Sequence, residues 1–160
     1  MDLTLSLTAA LPRIEYAQDA LLVEEGGAAG GLWVLESGTL EILRNGTLIS
    51  TIERPGALIG EISLLLGRPY SATVRAATRV VARHAANGVH FLEQTPALLM
   101  PIATTLAERL TFVTDYLADL KNQYGDAPGL SMVPDVLREL SERRAPPARP
   151  GSRREPDPEY

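Results

Sequence analysis

The sequence has no cysteine and only two histidines among its 160 residues. The lack of cysteine excludes disulfides, thiol nucleophiles, iron–sulfur clusters and zinc sites built from cysteine. The two histidines, His84 and His90, form neither a His-x-His pair nor the spacing of a facial triad, which disfavours a metal-dependent oxygenase of the cupin type. We therefore expect no metal site, no cofactor and no catalytic residues, in a chain that is not an enzyme.

Long apolar runs are missing as well. No stretch is apolar for long enough to cross a bilayer, and the first residues, MDLTLSLTAALPR, lack a basic region followed by an apolar segment. We expect a soluble cytoplasmic protein that contacts no membrane. The formal net charge of −5 argues against a general nucleic-acid surface. A length of 160 residues with 45% hydrophobic content suits one packed domain and is short for two.

Short apolar stretches separated by Gly, Pro and Asn fill residues 11–86, a pattern typical of antiparallel strands. Within it, "RNGT" supplies the Asn-Gly pair that a two-residue type I′ hairpin requires, and "ESGT" supplies a weaker turn of the same length. These turns would place Ile42 opposite Ile49 and Leu35 opposite Leu40, in a meander of three neighbouring strands. Its core side would carry Trp33, Leu35, Leu40, Ile42 and Ile49. So many short strands favour an antiparallel sandwich or jelly roll over a sheet of βαβ units.

The period of the apolar residues becomes helical in residues 89–124. Asn87 is a suitable N-cap for a short helix through Glu93, and Pro101 fits the first turn of a longer helix. The apolar residues of this longer helix recur at steps of three and four, at Ala103, Leu106, Leu110, Val113, Leu117, Leu120 and Tyr124. An apolar seam only two positions wide per heptad predicts a homodimer through this helix. The interface would contain Leu106, Leu110, Val113, Leu117 and Leu120. The alternative is a helix that lies on the sandwich.

The remaining residues are rich in proline. We expect a linker with one short helix over residues 125–145, beginning near Pro134, and a disordered tail over residues 146–160. One helix is too few for a helix-turn-helix module, so we expect no direct DNA binding by this chain. Any output would then pass through a partner protein.

A glycine-acid pair, an apolar run, a proline and Ala-Thr-Val follow one another in "GEISLLLGRPYSATVRAAT", residues 60–78. With the earlier stretch "LLVEEGGAAGGLWVLESGTLEIL", this order resembles the cyclic nucleotide-binding domain family, found in catabolite-activator-type regulators and in nucleotide-gated kinases and channels. The resemblance covers residues 21–124, with residues 60–78 as the phosphate-binding cassette. It implies a mainly β domain over residues 1–124: an eight-stranded jelly roll followed by a long dimerisation helix, acting as a regulatory sensor of cAMP or cGMP.

The resemblance also implies a ligand site. Its residues would be Gly60, Glu61, Ile62, Ser63, Tyr70, Ser71, Ala72 and Thr114. A glycine at position 60 lets the chain bend sharply and bring backbone amides close to an anion. Glu61 would accept a hydrogen bond from the ribose 2′-hydroxyl, and Ser71 would donate to a phosphate oxygen or a purine edge. Thr111 or Thr114 would cap the base from the long helix.

Tyr70 departs from the family's motif, which has an arginine here that pairs with the cyclic phosphate. A tyrosine offers one neutral donor in place of a charged bidentate fork, and losing such a contact costs about 2–5 kcal/mol of binding. Arg68 and Arg75 are possible substitutes, and Arg68 is the better placed because residues two apart on a strand share a face. Two functions remain open: a sensor of a small anionic ligand, or a degenerate domain serving dimerisation or partner contact without nucleotide.

Overall fold

The computed structural model of this chain describes residues 2–124 and 132–142. Eight strands in the described residues form two four-stranded antiparallel sheets. The first sheet holds, in spatial order, β1 (Arg13–Tyr16), β8 (Val80–Ala85), β3 (Leu32–Ser37) and β6 (Leu58–Ile59). The second holds β2 (Leu21–Val23), β7 (Thr73–Ala76), β4 (Leu40–Arg44) and β5 (Thr47–Ile52). The predicted jelly-roll class is confirmed.

Five α-helices and one short 3₁₀ helix accompany the strands in the described residues. They are α1 (Leu3–Leu7), α2 (Glu61–Leu66), α3 (Gly88–Gln94), the 3₁₀ helix (Pro96–Leu98), α4 (Leu99–Tyr124) and α5 (Val133–Glu142). The Asn87 side chain accepts a hydrogen bond from the His90 backbone N–H at 3.1 Å, which confirms the predicted N-cap of α3. Pro101 lies in the first turn of α4, as predicted, because no intrahelical N–H is needed there.

The core lies between the two sheets. Strand β7 alternates buried Val74 and Ala76 with Thr73 and Arg75, because successive side chains of a strand point to opposite faces. The inward side chains of both sheets form one apolar cluster, which includes Leu22, Val23, Trp33, Leu35, Leu40, Ile59, Tyr70, Val74, Ala76, Val80 and Ala82. Tyr70 therefore belongs to the core as well as to the cassette.

The predicted meander is wrong, because β3 and β4 lie in different sheets. The chain crosses from one sheet to the other at Gly38, whose φ of +95° suits a residue without a side chain. An added Cβ there would also lie 2.4 Å from the Arg79 carbonyl oxygen. Leu35 and Leu40 are both fully buried, so their core faces were predicted correctly although their pairing was not. Strand β3 pairs with β8, and β4 pairs with β7.

The hairpin between β4 and β5 is as predicted at its turn and different in its register. Asn45 and Gly46 both have positive φ, 49° and 74°, as a type I′ turn requires. Ile42, however, pairs with Ser50, because a bulge at Ile49 shifts the register. Ile49 is consequently exposed on an edge strand and does not join the core. Bulges of this kind hinder further strands from adding to a sheet edge.

The chain divides into two compact units, Met1–Ile102 and Ala103–Tyr160. The first contains both sheets, and the second contains most of α4 and all of α5. The sequence predicted a boundary at residue 124, and that division stays a prediction. Helix α5 begins at Val133, next to Pro134, so the predicted short helix is present. The predicted tail over residues 146–160 lies outside the described residues.

One helix bears on the prediction that no segment of the chain could cross a bilayer. Pro96–Tyr124 is long and apolar enough to do so by length and composition alone, with a hydropathy of 1.2. It carries Glu108 and Arg109 near its middle, and charged side chains at the centre of a membrane are costly. Soluble helices of this length pass the same test, so length and composition do not make α4 a membrane span.

Candidate functional site

The cassette begins at a backbone position that requires glycine. Gly60 precedes α2 with a φ of +93°, in the left-handed region. A Cβ at this position would lie 2.8 Å from the Gly31 carbonyl oxygen and 3.4 Å from Cε1 of Tyr70. The start of the cassette therefore lies directly against the loop that precedes β3.

Replacing Gly60 with alanine should be costly for this reason. We expect Gly60→Ala to lower the free energy of unfolding by about 2–4 kcal/mol, since it adds a steric clash to the strain of positive φ. Gly26→Ala is the matched control, because Gly26 has a φ of +81° with no atom within 4 Å of an added Cβ. Its cost should be about 1–2 kcal/mol. Urea denaturation measures both values, and equal costs would contradict the close approach at Gly60.

Helix α2 buries two polar side chains together with one leucine. Glu61 and Ser63 are each only 5% exposed and Leu64 is 9% exposed, whereas the other apolar residues of the helix, Ile62, Leu65 and Leu66, are exposed. The Ser63 hydroxyl donates to the Pro69 carbonyl oxygen at 3.4 Å, and Glu61 is not left without a partner. Buried polar side chains beside the glycine turn are compatible with a ligand site at the cassette.

Tyr70 lies next to the glycine turn that starts this helix, and the residue is 9% exposed. Its hydroxyl accepts hydrogen bonds from the backbone N–H groups of Gly30 at 3.3 Å and Gly31 at 3.2 Å, and donates to the Gly31 carbonyl at 3.3 Å. A phenol has one donor and two acceptor positions, so these three contacts occupy all of them. Its backbone N–H donates to the Gly27 carbonyl at 2.9 Å, which ties the same loop to the cassette.

The Tyr70 ring is also packed on its faces and edge. Added Cβ atoms at Gly27 and Gly60 would lie 3.6 and 3.4 Å from ring carbons, so the two glycines leave room for the ring. The edge contact is with Trp33, at 6.3 Å between ring centroids and an interplanar angle of 61°. The Trp33 indole N–H donates to the Tyr16 hydroxyl at 2.9 Å. The phenol is thus held both by hydrogen bonds and by packing.

His84 stacks on the other side of this aromatic group, 4.5 Å from Trp33 at 20°. Burial lowers the pKa of His84. When the pH falls below the ordinary histidine pKa of 6.5, the unfolded chain therefore binds more protons at His84 than the folded protein does. This contribution to stability is complete above that value and is lost as pH falls through the lowered pKa.

We expect the stability of the wild type to decrease between about pH 7 and about pH 5 more steeply than that of His84→Gln, because glutamine does not titrate. Urea midpoints measured at several pH values provide the comparison. Parallel pH profiles for the two proteins would contradict a buried neutral imidazole at this position.

The predicted site residues separate into three groups. Gly60, Glu61, Ser63 and Tyr70 are brought together around the start of α2, as described above. Ile62 and Ser71 are exposed, and Ala72 is half-buried. Thr114 lies on α4 in the second unit, and its hydroxyl donates to the Leu110 carbonyl at 2.8 Å.

Sequence reasoning missed Gly30 and Gly31, whose backbone holds the Tyr70 hydroxyl, and the aromatic support from Trp33. The run "GGAAGG" was a signal for the first two, because glycine is used where backbone must come close to another group. Nothing local to Trp33 indicated its role.

The two arginines considered as replacements for the family's arginine differ in the contacts that their side chains make. Arg75 makes an ion pair with Glu41 at 2.6 Å, and the hydrogen bond and charge of that carboxylate raise the pKa of Arg75. The backbone N–H of Arg68, in contrast, donates to the Ser63 carbonyl at 3.1 Å, but its guanidinium has no hydrogen bond or ion pair in the described part of the chain and lines an open groove of about 620 Å³. Within the described ranges there is also no cluster of three potential metal ligands. The residues gathered at Gly60 thus include an acid and no cation.

A two-sheet jelly roll with a glycine-started cassette helix defines a class of regulatory domain, and relatives agree with this class. Residues 13–88 match the sequence profile of the cyclic nucleotide-binding domain. The chain is 30% identical over 76 residues to a cAMP-dependent protein kinase regulatory subunit of Candida albicans. That match covers 48% of this chain and 16% of the relative, so the chain spans a small part of that protein.

Solved structures are also similar to this chain, among them two of regulatory proteins. One is the N-terminal domain of a transcriptional regulator from Streptomyces coelicolor, with 26% identity, a TM-score of 0.52, and 69% of this chain and 83% of that one covered. The other is the regulatory subunit of a cAMP-independent protein kinase A from Trypanosoma brucei, with 20% identity, a TM-score of 0.55, and 65% and 38% covered. The second likeness shows the fold alone.

Residues 13–88 are thus assigned to the cyclic nucleotide-binding domain family, and the rest of the chain lies outside that match. Such a domain is a regulatory module, and the Candida albicans relative is likewise a regulatory subunit.

Proposed function

We propose that this chain is a regulatory module whose cassette is closed to cyclic nucleotides by Tyr70, and that it acts through dimerisation and contact with a partner protein. The observation that carries this proposal is the buried phenol, whose hydroxyl is bonded to the backbone of Gly30 and Gly31. The Tyr70 hydroxyl thus occupies the Gly30 and Gly31 N–H groups of the loop.

A cyclic nucleotide would meet two obstacles at this cassette. First, no cation at Tyr70 meets the phosphate, so the charge-assisted contact is absent. Second, moving the phenol out of the way would break its hydrogen bonds and expose a buried aromatic ring, at a cost of about 1.5–3 kcal/mol for the ring alone. Both effects lower affinity.

The fold permits this proposal. A similar solved structure from Trypanosoma brucei is the regulatory subunit of a cAMP-independent kinase, whereas the Candida albicans relative is that of a cAMP-dependent kinase. The fold therefore leaves the ligand open, and the residues of the individual cassette must supply the answer.

A sensor of cAMP or cGMP is the second candidate function. The observation in its favour is that Gly60 keeps its left-handed turn and that Glu61, the acceptor for a ribose hydroxyl, is retained and buried. For this function to operate, the Tyr70 hydroxyl would have to give up its hydrogen bonds to the loop backbone and bind the phosphate instead.

Nucleotide titration separates the two functions. We expect millimolar cAMP and cGMP to leave the melting temperature of the wild type unchanged, and cAMP to raise that of Tyr70→Arg, which restores the family's phosphate contact. Glu61→Gln in the Tyr70→Arg background is the control, and it should reduce the rise. A clear rise for the wild type would overturn the closed cassette in favour of the sensor.

Dimerisation is supported by the side chains of α4. Leu110 and Val113 of the predicted seam are 49% and 47% exposed in the single chain, and Leu106, Leu117 and Leu120 are half-buried. A second copy of α4 would cover these apolar groups by the knobs-into-holes packing of a two-stranded coiled coil. We propose a cytoplasmic homodimer whose output passes to a partner protein, without direct DNA contact.

A further inference from the structure

An open groove of about 620 Å³ lies beside the cassette, lined by residues 28–30, by Ser63 and Leu64, by residues 67–69 and by the start of α3. Its volume is in the range of small-molecule sites. Glu61 and Tyr70 do not line it, so the groove adjoins the polar group around the start of α2 and shares Ser63 with it.

The charge of the groove differs from that of the whole protein. The chain has 20 acidic residues and a net charge of −5, yet among the residues that the structure describes no carboxylate lines the groove. Arg68 is the one charged lining residue in that part of the chain; it is exposed, and its guanidinium has no hydrogen bond or ion pair there. An unpaired guanidinium without a nearby acid is a ready partner for an anion.

A second donor lies in the same groove. Asn87 uses its side-chain oxygen to accept from the His90 N–H, and its amide nitrogen keeps two donor hydrogens. The Ser63 hydroxyl is directed to the Pro69 carbonyl. The groove therefore offers one cation and one neutral amide donor, which suits a single carboxylate better than a doubly charged phosphate.

The other walls are small or apolar. They are formed by Ala28, Ala29, Leu64, Pro69, Ala86 and Val89. Such walls bind a compact hydrocarbon or aromatic body and offer little to a sugar, whose hydroxyl groups need hydrogen-bonding partners.

We propose that this groove binds a small organic acid, with its carboxylate on Arg68 and its apolar body against the alanine, leucine and valine walls. This goes beyond the proposed function and does not depend on it: the groove and the closed cassette share the backbone of Gly30, whereas the Arg68 side chain, which would bind the acid, takes no part in holding Tyr70. A bound acid would join the cassette loop, the loop before β3 and the start of α3, and the module would then respond to a ligand other than a cyclic nucleotide.

Titration of the full chain with benzoate and hexanoate, followed by amide chemical shifts in NMR spectra, tests the proposal. We expect saturable shifts at Gly30, Gly67 and Asn87, and about tenfold weaker binding of the neutral analogue benzamide, since it lacks the charge that Arg68 pairs with. Arg68→Gln should weaken benzoate binding about tenfold, while Arg54→Gln, a change at another exposed arginine, should leave it unchanged.

The proposed acid site is refuted if neither acid gives saturable shifts at those amides, or if Arg68→Gln and Arg54→Gln bind benzoate equally. Arg68 is exposed, so its substitution leaves the fold intact, and the dispersion of the NMR spectrum verifies this. A parallel titration with cAMP keeps the two proposals apart. Shifts at Glu61 and Tyr70 with cAMP would overturn the closed cassette and leave the acid site standing.

Discussion

Tyr70→Ala is expected to lower the free energy of unfolding by about 3–5 kcal/mol, the range for deleting a large buried aromatic side chain. The ring packs between Gly27 and Gly60 and against Trp33, so its removal leaves a cavity that the backbone on either side cannot fill. The hydroxyl contributes separately. Tyr70→Phe should cost about 1–3 kcal/mol, because it leaves the Gly30 and Gly31 N–H groups without their acceptor.

Urea denaturation monitored by the fluorescence of Trp33, the single tryptophan, measures these costs. Tyr116→Ala is the matched control, because Tyr116 is an exposed tyrosine on α4 and its truncation should change stability by less than about 0.5 kcal/mol. If Tyr70→Ala costs no more than Tyr116→Ala, the Tyr70 ring is not packed in the cassette and the account of the site is wrong.

Leu110→Lys is expected to convert a dimer into a monomer. In a two-fold symmetric pair the seam residue of one helix faces the seam of its partner, so the substitution replaces buried leucine with two charges in an apolar contact. Burial of each leucine contributes about 1.5–3 kcal/mol, which makes the loss on both helices large compared with the stability of a short coiled coil.

Light scattering coupled to size exclusion gives the masses. The control is Thr111→Lys, which adds the same charge one position away, at an exposed residue outside the predicted seam. We expect the wild type and Thr111→Lys to be dimers and Leu110→Lys to be a monomer. A wild type that is monomeric at high concentration would end the argument for a seam.

Strand faces were predictable in part from the sequence, and strand neighbours were not. The two turns correctly assigned Leu35 and Leu40 to the core side, but Ile49, assigned to the same side, is exposed at a bulge. The alternation of side chains reports which side of a strand is buried. It carries no information on whether two buried faces lie side by side in one sheet or opposite each other in two. The turn at Gly38 was therefore interpreted as a hairpin, although it is a crossing between sheets.

The cassette shows the same division between local and long-range information. Gly60 and Glu61 could be predicted because the turn and the helix start depend on adjacent residues. The partners of Tyr70 could not, because Gly30 and Gly31 are 40 and 39 positions away in the chain. The sequence identified Tyr70 as the exception to the family's motif, and the fold supplies the backbone that it binds.

Hydrogen exchange at the Gly30 and Gly31 amides, followed by NMR with and without millimolar cAMP, tests the closed cassette most directly. If both N–H groups donate to the buried Tyr70 hydroxyl, their exchange is slowed relative to free peptide, Tyr70→Phe removes the protection, and cAMP changes neither rate. Exchange of both amides at the rate of an unprotected loop in the wild type, or protection that appears only when cAMP is added, would contradict a cassette closed by its own tyrosine.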